Sequence, residues 1–220
     1  MSASSVARPY RGIAASERVA SRREALMRAG LDVFDTEGWS ALSARRVCEV
    51  AGLTRRYFYE SFEDIDQLVA AIFVSITGDV TDAIKAAIND QALGFGARVE
   101  RAVAAGLATL QPPVRGRFLV AAQRGCGPVD PHRTAVLDDL MSLVGSALFV
   151  NQEGTRQIEP ADSSIALRMV VGAVLALVDG WFEGDVKLSR GDVSSRAATA
   201  AVAIIEALGE RREPVGPSGP

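Results

Sequence analysis

One short segment, residues 42–62, restricts the fold of this chain more than any other part of the sequence. It reads LSARRVCEVAGLTRRYFYESF. Ser43 suits the N-cap of a helix, because its side-chain oxygen can accept a bond from a free backbone N–H. The apolar face predicted for that helix consists of Val47, Val50 and Ala51. Gly52 then allows a sharp turn, since glycine adopts a positive φ at little cost. The segment therefore predicts two helices joined by a tight turn.

The second helix of this segment predicts a surface suited to DNA. We expect it to begin after Thr54 and to turn Phe58 and Phe62 inward. Its outward side consists of cations and hydrogen-bonding aromatics, namely Arg55, Arg56, Tyr57 and Tyr59. Such side chains on the second helix of a helix-turn-helix can reach base edges in the major groove. A surface hairpin with solvated arginines is the alternative interpretation.

The segment resembles the DNA-binding domain of the TetR (tetracycline-repressor-like) family of bacterial regulators. The family pattern is a capped helix, Ala-Gly, a small hydrophobic residue, Ser or Thr, and a Tyr-x-x-Phe ending. The matching positions here are Ser43, Ala51, Gly52, Leu53, Thr54, Tyr59 and Phe62, preceded by a Phe-x-x-x-Gly-aromatic match at Phe34, Gly38 and Trp39. Ile65 stands where family members usually carry a lysine, and Arg56 stands where a small residue is usual. The specific match covers residues 16–70.

The resemblance implies an all-α fold with two domains. An N-terminal three-helix domain with the helix-turn-helix would be joined by a long helix 4 to a C-terminal helical ligand-binding and dimerisation domain. We place a flexible basic arm at residues 1–15, the DNA-binding domain at 16–63, the effector-binding and dimerisation domain at 64–212 and a disordered tail at 213–220. Arginines in the arm either belong to a disordered tail or enter the minor groove.

The charge distribution supports an N-terminal DNA-binding domain. The chain carries a net charge of −3, so it is not basic as a whole. Residues 1–62 nevertheless hold ten arginines against seven acidic residues, whereas the remainder is acidic. A basic segment that coincides with the helix-turn-helix is the electrostatic footprint of DNA binding. We expect bases to be read by Arg55, Arg56 and Tyr57, and phosphates to be held by Arg45, Thr54 and Tyr59.

Several other functional classes lack support in the sequence. Two cysteines far apart and a single histidine make neither a disulfide framework nor a zinc site. No paired carboxylates with histidines and no glycine-rich phosphate loop are evident. We therefore expect no catalytic site, no metal and no cofactor. The start of the chain lacks an apolar run, and residues 169–178 are too short to span a bilayer, so we expect a cytoplasmic protein without membrane partners.

The eighth predicted helix indicates self-association. Residues 165–178 are apolar almost all round, and such a helix must be buried on all sides. One side can meet its own core, while the other requires a second subunit. Together with the ninth helix, this pair resembles the four-helix dimer interface of the TetR family. The expected interface residues are Arg168, Gly172, Ala173, Ala176, Ala198, Val202 and Ile205.

The effector site is the least constrained part of the interpretation. Family pockets lie inside the second domain, between helices 4 and 8. The candidate lining residues are Phe73, Phe118, Gln123, Arg124, Met141 and Trp181. Plain core packing is the alternative for each apolar candidate. The leading hypothesis is a homodimeric repressor released from a palindromic operator by an unknown small-molecule inducer. The alternative is an all-α adaptor or enzyme of the same architecture that does not bind DNA.

Overall fold

The computed structural model describes residues 13–88, 92–123, 127–149 and 160–209, and these residues form an all-helical structure. Two short 3₁₀ turns, Trp39–Ala41 and Gly127–Val129, supplement the α-helices. The α-helices are α1 Ile13–Glu37, α2 Ala44–Ala51, α3 Arg55–Ser61, α4 Ile65–Ile88, α5 Phe95–Thr109, α6 Val114–Gln123, α7 Asp130–Phe149, α8 Pro160–Glu183 and α9 Arg190–Gly209. The all-α fold class is thus confirmed. Arg124, most of the N-terminal arm and the C-terminal tail lie outside the described residues.

The turn between α2 and α3 is built as its sequence predicts. Ser43 caps α2, and its Oγ accepts a bond from the backbone N–H of Arg46 at 3.3 Å. Gly52 ends the helix with φ 65°, in the left-handed region. The backbone N–H of Leu53 then donates to the carbonyl of Cys48 at 3.0 Å. This local hydrogen bonding fixes the angle at which α3 leaves α2.

The N-terminal domain has a continuous apolar core formed by α1, α2, α3 and the start of α4. Its fully buried members include Leu26, Val33, Val47, Phe58 and Leu68. One position of the predicted apolar face of α2 was wrong, because Val50 is 39% exposed, and Val19 of α1 is likewise 44% exposed. Apolar spacing identifies one face of a helix, but it does not show where along that face the neighbouring helix ends.

Helix α4 belongs to both halves of the molecule. Near its start it crosses α1 so closely that a Cβ on Gly30 would lie 2.9 Å from side-chain atoms of both Leu68 and Ile72. Further along, Val80 and Ile84 pack against Gly106 of α5. One helix therefore carries contacts with the N-terminal domain at one end and with the second domain at the other.

Helix α6 makes a second connection between the two halves. The Phe118 ring is fully buried and lies edge-on to Phe34 of α1, with ring centroids 5.3 Å apart. Trp39 covers the same ring at 5.5 Å. Beside these rings, Arg117 forms an ion pair with Asp35 of α1. The sequence did not predict this contact, because it joins residues about eighty positions apart.

The C-terminal pair α8 and α9 buries one side and exposes another. Val170 and Ala198 pack with Val99 of α5 in a separate apolar cluster. On the opposite side of α8, Ile165 is 49% exposed and Met169 is 50% exposed. The sequence predicts that α8 is apolar on all sides. In the structure, the second side of α8 is not covered by any other part of the described chain.

Candidate DNA interface and effector cavity

Helix α3 buries one aromatic ring and presents its remaining side chains outward. Phe58 is fully buried, while Tyr59 is 60% exposed and Tyr57 is 37% exposed. Arg55 and Arg56 are also exposed. The exposed face of α3 therefore combines two cations with two phenolic hydroxyls. These groups are hydrogen-bond donors that can pair with the acceptor atoms of base edges and phosphates.

Thr54 is the N-cap residue of α3, although its side chain makes no capping hydrogen bond. Its backbone is extended, with φ −79° and ψ 155°, and its carbonyl accepts the first bonds of the helix. The predicted start of α3 is confirmed, whereas side-chain capping is not observed. The exposed hydroxyl is thereby left available at the helix N-terminus, where backbone N–H groups favour an anion.

Acidic residues reduce the positive charge of this surface. The Nε atom of Arg56 donates to Glu60 at 3.0 Å, one helical turn away. Arg22 of α1 lies 3.8 Å from the same carboxylate and stacks over the Tyr57 ring, 4.7 Å from its centroid. Arg55 is therefore the better candidate for direct base contact, because Arg56 must give up an ion pair to reach DNA.

Helix α2 carries a second set of ion pairs. Arg45 donates from Nε to Glu49 at 2.8 Å, and Arg46 contacts Glu37 at 2.7 Å and Glu49 at 3.2 Å. Hydrogen bonds from Arg45 and Arg46 hold the pKa of Glu49 below its ordinary value. Sequence reasoning named Arg45 but missed Arg46, whose neighbour Glu37 comes from the end of α1.

Two further N-terminal residues take structural roles. Arg23 donates to the carbonyl of Ser61 at 2.6 Å and stacks over Phe62 at 4.2 Å, which ties α1 to the end of α3. Ile65, at the position where the resemblance would place a lysine, is partly buried against the core. Helix α4 therefore begins with an apolar contact here.

The second domain contains a partly open apolar cavity of about 160 Å³. Its described lining comes from α4, α5, α6, α7 and α8 and is almost entirely aliphatic. Helix α5 contributes a complete face: Val99, Ala102, Val103, Gly106, Leu107 and Leu110. Asp179 and Phe182 of α8 are the exceptions to the aliphatic pattern among the described lining residues.

The predicted effector residues do not line this cavity where the structure describes their side chains. Phe73 is buried in the core that continues from the DNA-binding domain, and Phe118 packs on α1. Trp181 donates from Nε1 to the carbonyl of Leu188 at 2.9 Å. Met141 is half-buried outside the described lining, and the side chain of Gln123 is not described. The regular face of α5 was the sequence signal that could have located the cavity.

One wall of the cavity depends on a glycine. A Cβ on Gly116 of α6 would lie 2.0 Å from the Phe182 ring, so this ring packs directly on the α6 backbone. The next residue, Arg117, points to the DNA-binding domain through its ion pair with Asp35. Helix α6 thus places the cavity wall and the contact with α1 on adjacent residues.

The predicted dimer residues fall into two groups. Arg168, Gly172, Ala173 and Ala176 are exposed on α8. Ala198 is only 5% exposed and packs inside the chain, in the cluster that contains Val99. Val202 and Ile205 are half-buried on α9. The exposed face of α8 is therefore the part of the predicted interface that is accessible to another molecule.

Other kinds of site were also compared with the structure. Among the described residues, no group of three His, Cys, Asp or Glu side chains could hold a metal ion. Burial raises the pKa of the Cys48 thiol. By length and composition, helices Ile65–Ile88 and Ser164–Glu183 are each long and apolar enough to cross a membrane, and the second contains the shorter apolar run 169–178. Core helices of soluble proteins meet the same criterion, and α4 buries an entire face.

Comparisons with known proteins agree with this architecture. Residues 26–72 match the family described as bacterial regulatory proteins, tetR family. No curated protein matches the chain. Solved structures with a similar fold include a TetR-family transcriptional regulator from Streptomyces coelicolor, with 18% identity and a TM-score of 0.69 over 86% of this chain and 82% of that one.

Two further structures show the same fold over most of both chains. The fatty acid degradation regulator FadR from Bacillus halodurans has 16% identity and a TM-score of 0.68, over 88% of this chain and 97% of its own. A TetR-family regulator from Marinobacter aquaeolei VT8 has 18% identity and a TM-score of 0.65, over 86% and 97%. Residues 26–72 thus match the DNA-binding domain of the tetR family, and the fold of the chain is similar to that of solved TetR-family regulators.

Proposed function

We propose that the protein is a homodimeric transcriptional repressor that leaves a palindromic operator when a small molecule binds in the apolar cavity. Each subunit places α3 in one major groove, and the two grooves lie about 34–36 Å apart along the duplex. Its place of action is the cytoplasm. The observation that carries the proposal is the exposed face of α3, with Arg55, Tyr57 and Tyr59 around a single buried ring.

The assignment of DNA contacts follows from exposure and charge. Arg55 and Tyr57 are assigned to bases, with Arg56 joining them after release from Glu60. Arg45, Thr54 and Tyr59 are assigned to phosphates, because each is exposed and ends in a hydrogen-bond donor. Phosphate contacts set the position of the domain, whereas base contacts set the operator sequence.

Dimerisation is assigned to the uncovered side of α8 with the adjoining part of α9. Ile165 and Met169 are each about half exposed, which is unusual for large apolar side chains at four-residue spacing. Gly172, Ala173 and Ala176 continue this side with small residues that allow close helix approach. A two-fold related copy supplies the same surface in return, as a closed dimer requires.

The effector acts through the two helices that contact both the cavity and the DNA-binding domain. Val80 and Ile84 of α4 line the cavity, while Leu68 and Ile72 of the same helix contact α1. A ligand shifts the protein away from its DNA-binding state only to the extent that it binds the other state more tightly. By linkage, DNA and effector must weaken each other by the same factor.

Selection of bound fragments from a random DNA pool tests the proposal. We expect one enriched palindromic sequence, confirmed by gel shift with the purified full chain. Arg55→Ala should relax base preference at one position in each half-site and cost about 1–3 kcal/mol. Arg101→Ala, an exposed α5 residue far from α3 in sequence, is the matched control and should leave operator binding unchanged.

The opposite results would favour the alternative of an adaptor or enzyme with this fold. If no sequence is enriched from the pool, the proposal that the protein binds a specific operator is wrong. If Arg55→Ala loses affinity equally for operator and random DNA, Arg55 does not read bases and contacts a phosphate instead.

A further inference from the structure

Glu60 of α3 lies between two arginines that differ in exposure. The Nε atom of Arg56, one helical turn earlier on the same helix, donates to Glu60 at 3.0 Å, and the Arg56 side chain is 86% exposed. On the other side, Arg22 of α1 lies 3.8 Å from Glu60, and its side chain is only 24% exposed. One carboxylate is therefore shared by a cation that extends into solvent and a cation held at the contact between α1 and α3.

Packing holds Arg22 against α3. Its guanidinium carbon lies 4.7 Å from the centroid of the Tyr57 ring, which is a cation–π contact. Its Nε atom is buried and makes no hydrogen bond within the described chain, so the side chain retains an unused donor. A mostly buried side chain stacked on a ring must break that stack to reach a DNA base. We therefore expect Arg22 to stay beside Glu60 in the DNA complex.

The neighbouring arginine attaches α3 to α1 independently of Arg22. Arg23 donates from Nη1 to the carbonyl of Ser61 at 2.6 Å, and its guanidinium carbon lies 4.2 Å from the centroid of the Phe62 ring. Phe58, between these contacts and the start of α3, is fully buried in the same domain. Shortening Arg22 therefore removes a counter-ion of Glu60 while the main attachment of α3 to α1 remains.

Arg56 can read a base only if Glu60 releases it. Without a counter-ion, the Glu60 carboxylate would repel the nearby DNA phosphates, and this repulsion opposes the release. Arg22 reduces this cost, because it is already within ion-pair distance of Glu60 and a small movement converts the pair into a charge-assisted hydrogen bond. The free energy of one exposed ion pair corresponds to at most about a fivefold change in binding.

We propose that Arg22 is a specificity-determining residue that acts without touching a base. It replaces Arg56 as the counter-ion of Glu60 when Arg56 turns towards the major groove. This inference rests on the proposed function, because it concerns the reading of an operator by α3. Arg22 is thus a positioning residue for Arg56, and a side chain of α1 contributes to the sequence that α3 selects.

The test compares base preference among variants of the full chain. Selection with Arg56→Ala first identifies the base pair at which that variant loses preference. The measured quantity is the ratio of two affinities, for the operator and for the same operator altered at that base pair, because general effects of charge cancel in this ratio. We expect Arg22→Gln to lower the ratio about two- to fivefold. Glu60→Gln, added to Arg22→Gln, should restore it.

Restoration by Glu60→Gln separates this role from two others. If Arg22 only supported the position of α3, removal of Glu60 would not restore preference in Arg22→Gln. If Arg22 contacted a phosphate, Arg22→Gln would weaken binding to both operators equally and leave the ratio unchanged. Either result overturns the proposal. Arg28→Gln, an equal change at an exposed position of α1 that borders a groove with residues of α4 and α6, is the control and should not change the ratio.

Two further substitutions keep the test decisive. Arg22→Lys retains the positive charge beside Glu60 and should keep the wild-type ratio within twofold, so a ratio as low as in Arg22→Gln would contradict the counter-ion role. If thermal unfolding shows that Arg22→Gln does not fold, Arg22→Met takes its place, because its apolar side chain still packs on Tyr57. If the wild type selects no sequence, the proposed function itself fails. If it selects an operator but Arg22→Gln leaves the ratio unchanged, the proposed function stands and only this inference fails.

Discussion

At the scale of single residues, Glu49 limits the positive charge that α2 offers to DNA. It accepts from Arg45 at 2.8 Å and from Arg46 at 3.2 Å. These bonds lower its pKa, so the carboxylate remains charged at neutral pH. Arg45 must therefore exchange an existing partner for a DNA phosphate. The exposed pair of Arg45 and Glu49 contributes little to folding stability, but the negative charge of Glu49 acts directly on the DNA polyanion.

Glu49→Gln should strengthen DNA binding severalfold at low salt. Release of one arginine for a phosphate should also steepen the plot of log affinity against log salt by about one unit. Titration of operator DNA at four salt concentrations measures both quantities. Glu100→Gln, an equivalent change at an exposed position of α5, serves as control. An unchanged salt slope would show that Arg45 does not acquire a phosphate in the complex.

At the scale of helices, packing against a glycine decides how α6 and α8 meet. A Cβ at Gly116 would overlap the Phe182 ring, with 2.0 Å to its nearest atom. Gly116→Ala should therefore lower the free energy of unfolding by about 1–3 kcal/mol, the usual cost of overpacking. Gly78→Ala in α4 is the matched control, because nothing lies within 4 Å of its added Cβ. That variant should be neutral or more stable by up to about 1 kcal/mol. Urea unfolding measures both, and equal effects would contradict the assigned contact.

The start of α9 shows a reciprocal cap with a defined pH dependence. Ser189 donates from Oγ to Asp192 at 2.6 Å, and the Asp192 backbone N–H donates back to Ser189 Oγ at 3.2 Å. The hydrogen bond from Ser189 lowers the pKa of Asp192, so its contribution is complete above the ordinary pKa of 3.8. That contribution is lost as pH falls through the lowered value. Ser189→Ala should reduce the urea midpoint at pH 7, and the difference from wild type should shrink below pH 3.8. A constant difference would exclude Asp192 as the source.

The sequence predicts structural features that are determined by residues close together in the chain. The cap at Ser43 and the turn at Gly52 depend on neighbouring residues, and both were predicted correctly. The cavity depends on how five helices pack, so the sequence did not indicate that Phe118 and Trp181 would lie outside its lining. Phe118 instead fills the junction with α1, a contact between distant parts of the chain. Burial along a helix also depends on its neighbours, which explains the error at Val50.

At the scale of the whole molecule, the uncovered side of α8 is the surface through which we propose that the protein dimerises. Gly172 is exposed, and nothing lies within 4 Å of a Cβ added there, so a larger side chain fits the single chain. Gly172→Glu should therefore leave the fold intact but place an unpaired charge in the subunit interface. We expect the wild type to be a dimer in sedimentation equilibrium at micromolar concentration and the variant to be a monomer. Gly78→Glu, at an exposed position of α4, is the control. A monomeric wild type would contradict the proposed interface.

The contact between α6 and α1 places the effector cavity and the DNA-binding domain in one packed unit. Gly116, Leu119 and Val120 of α6 line the cavity, while Arg117 and Phe118 contact α1. Helix α6 therefore cannot move away from a ligand without changing its contact with α1. Deleting Phe118 would open a fully buried site and destabilise the fold, so the ion pair is the better test. Arg117 and Asp35 are each nearly half exposed, which limits the effect of their loss on folding to within about 1 kcal/mol.

Arg117→Ala should weaken the effect of ligand on operator binding by up to about fivefold, which corresponds to about 1 kcal/mol of coupling free energy. Ligand affinity without DNA should remain within twofold of wild type, because Arg117 does not line the cavity. The measurement is operator affinity with and without a saturating concentration of a small molecule that binds in the cavity. Arg133→Ala is the matched control, since Arg133 pairs with Asp130 at similar exposure but within α7. An equal loss of coupling in both variants would show that general weakening of the second domain, and not the contact between α6 and α1, carries the response.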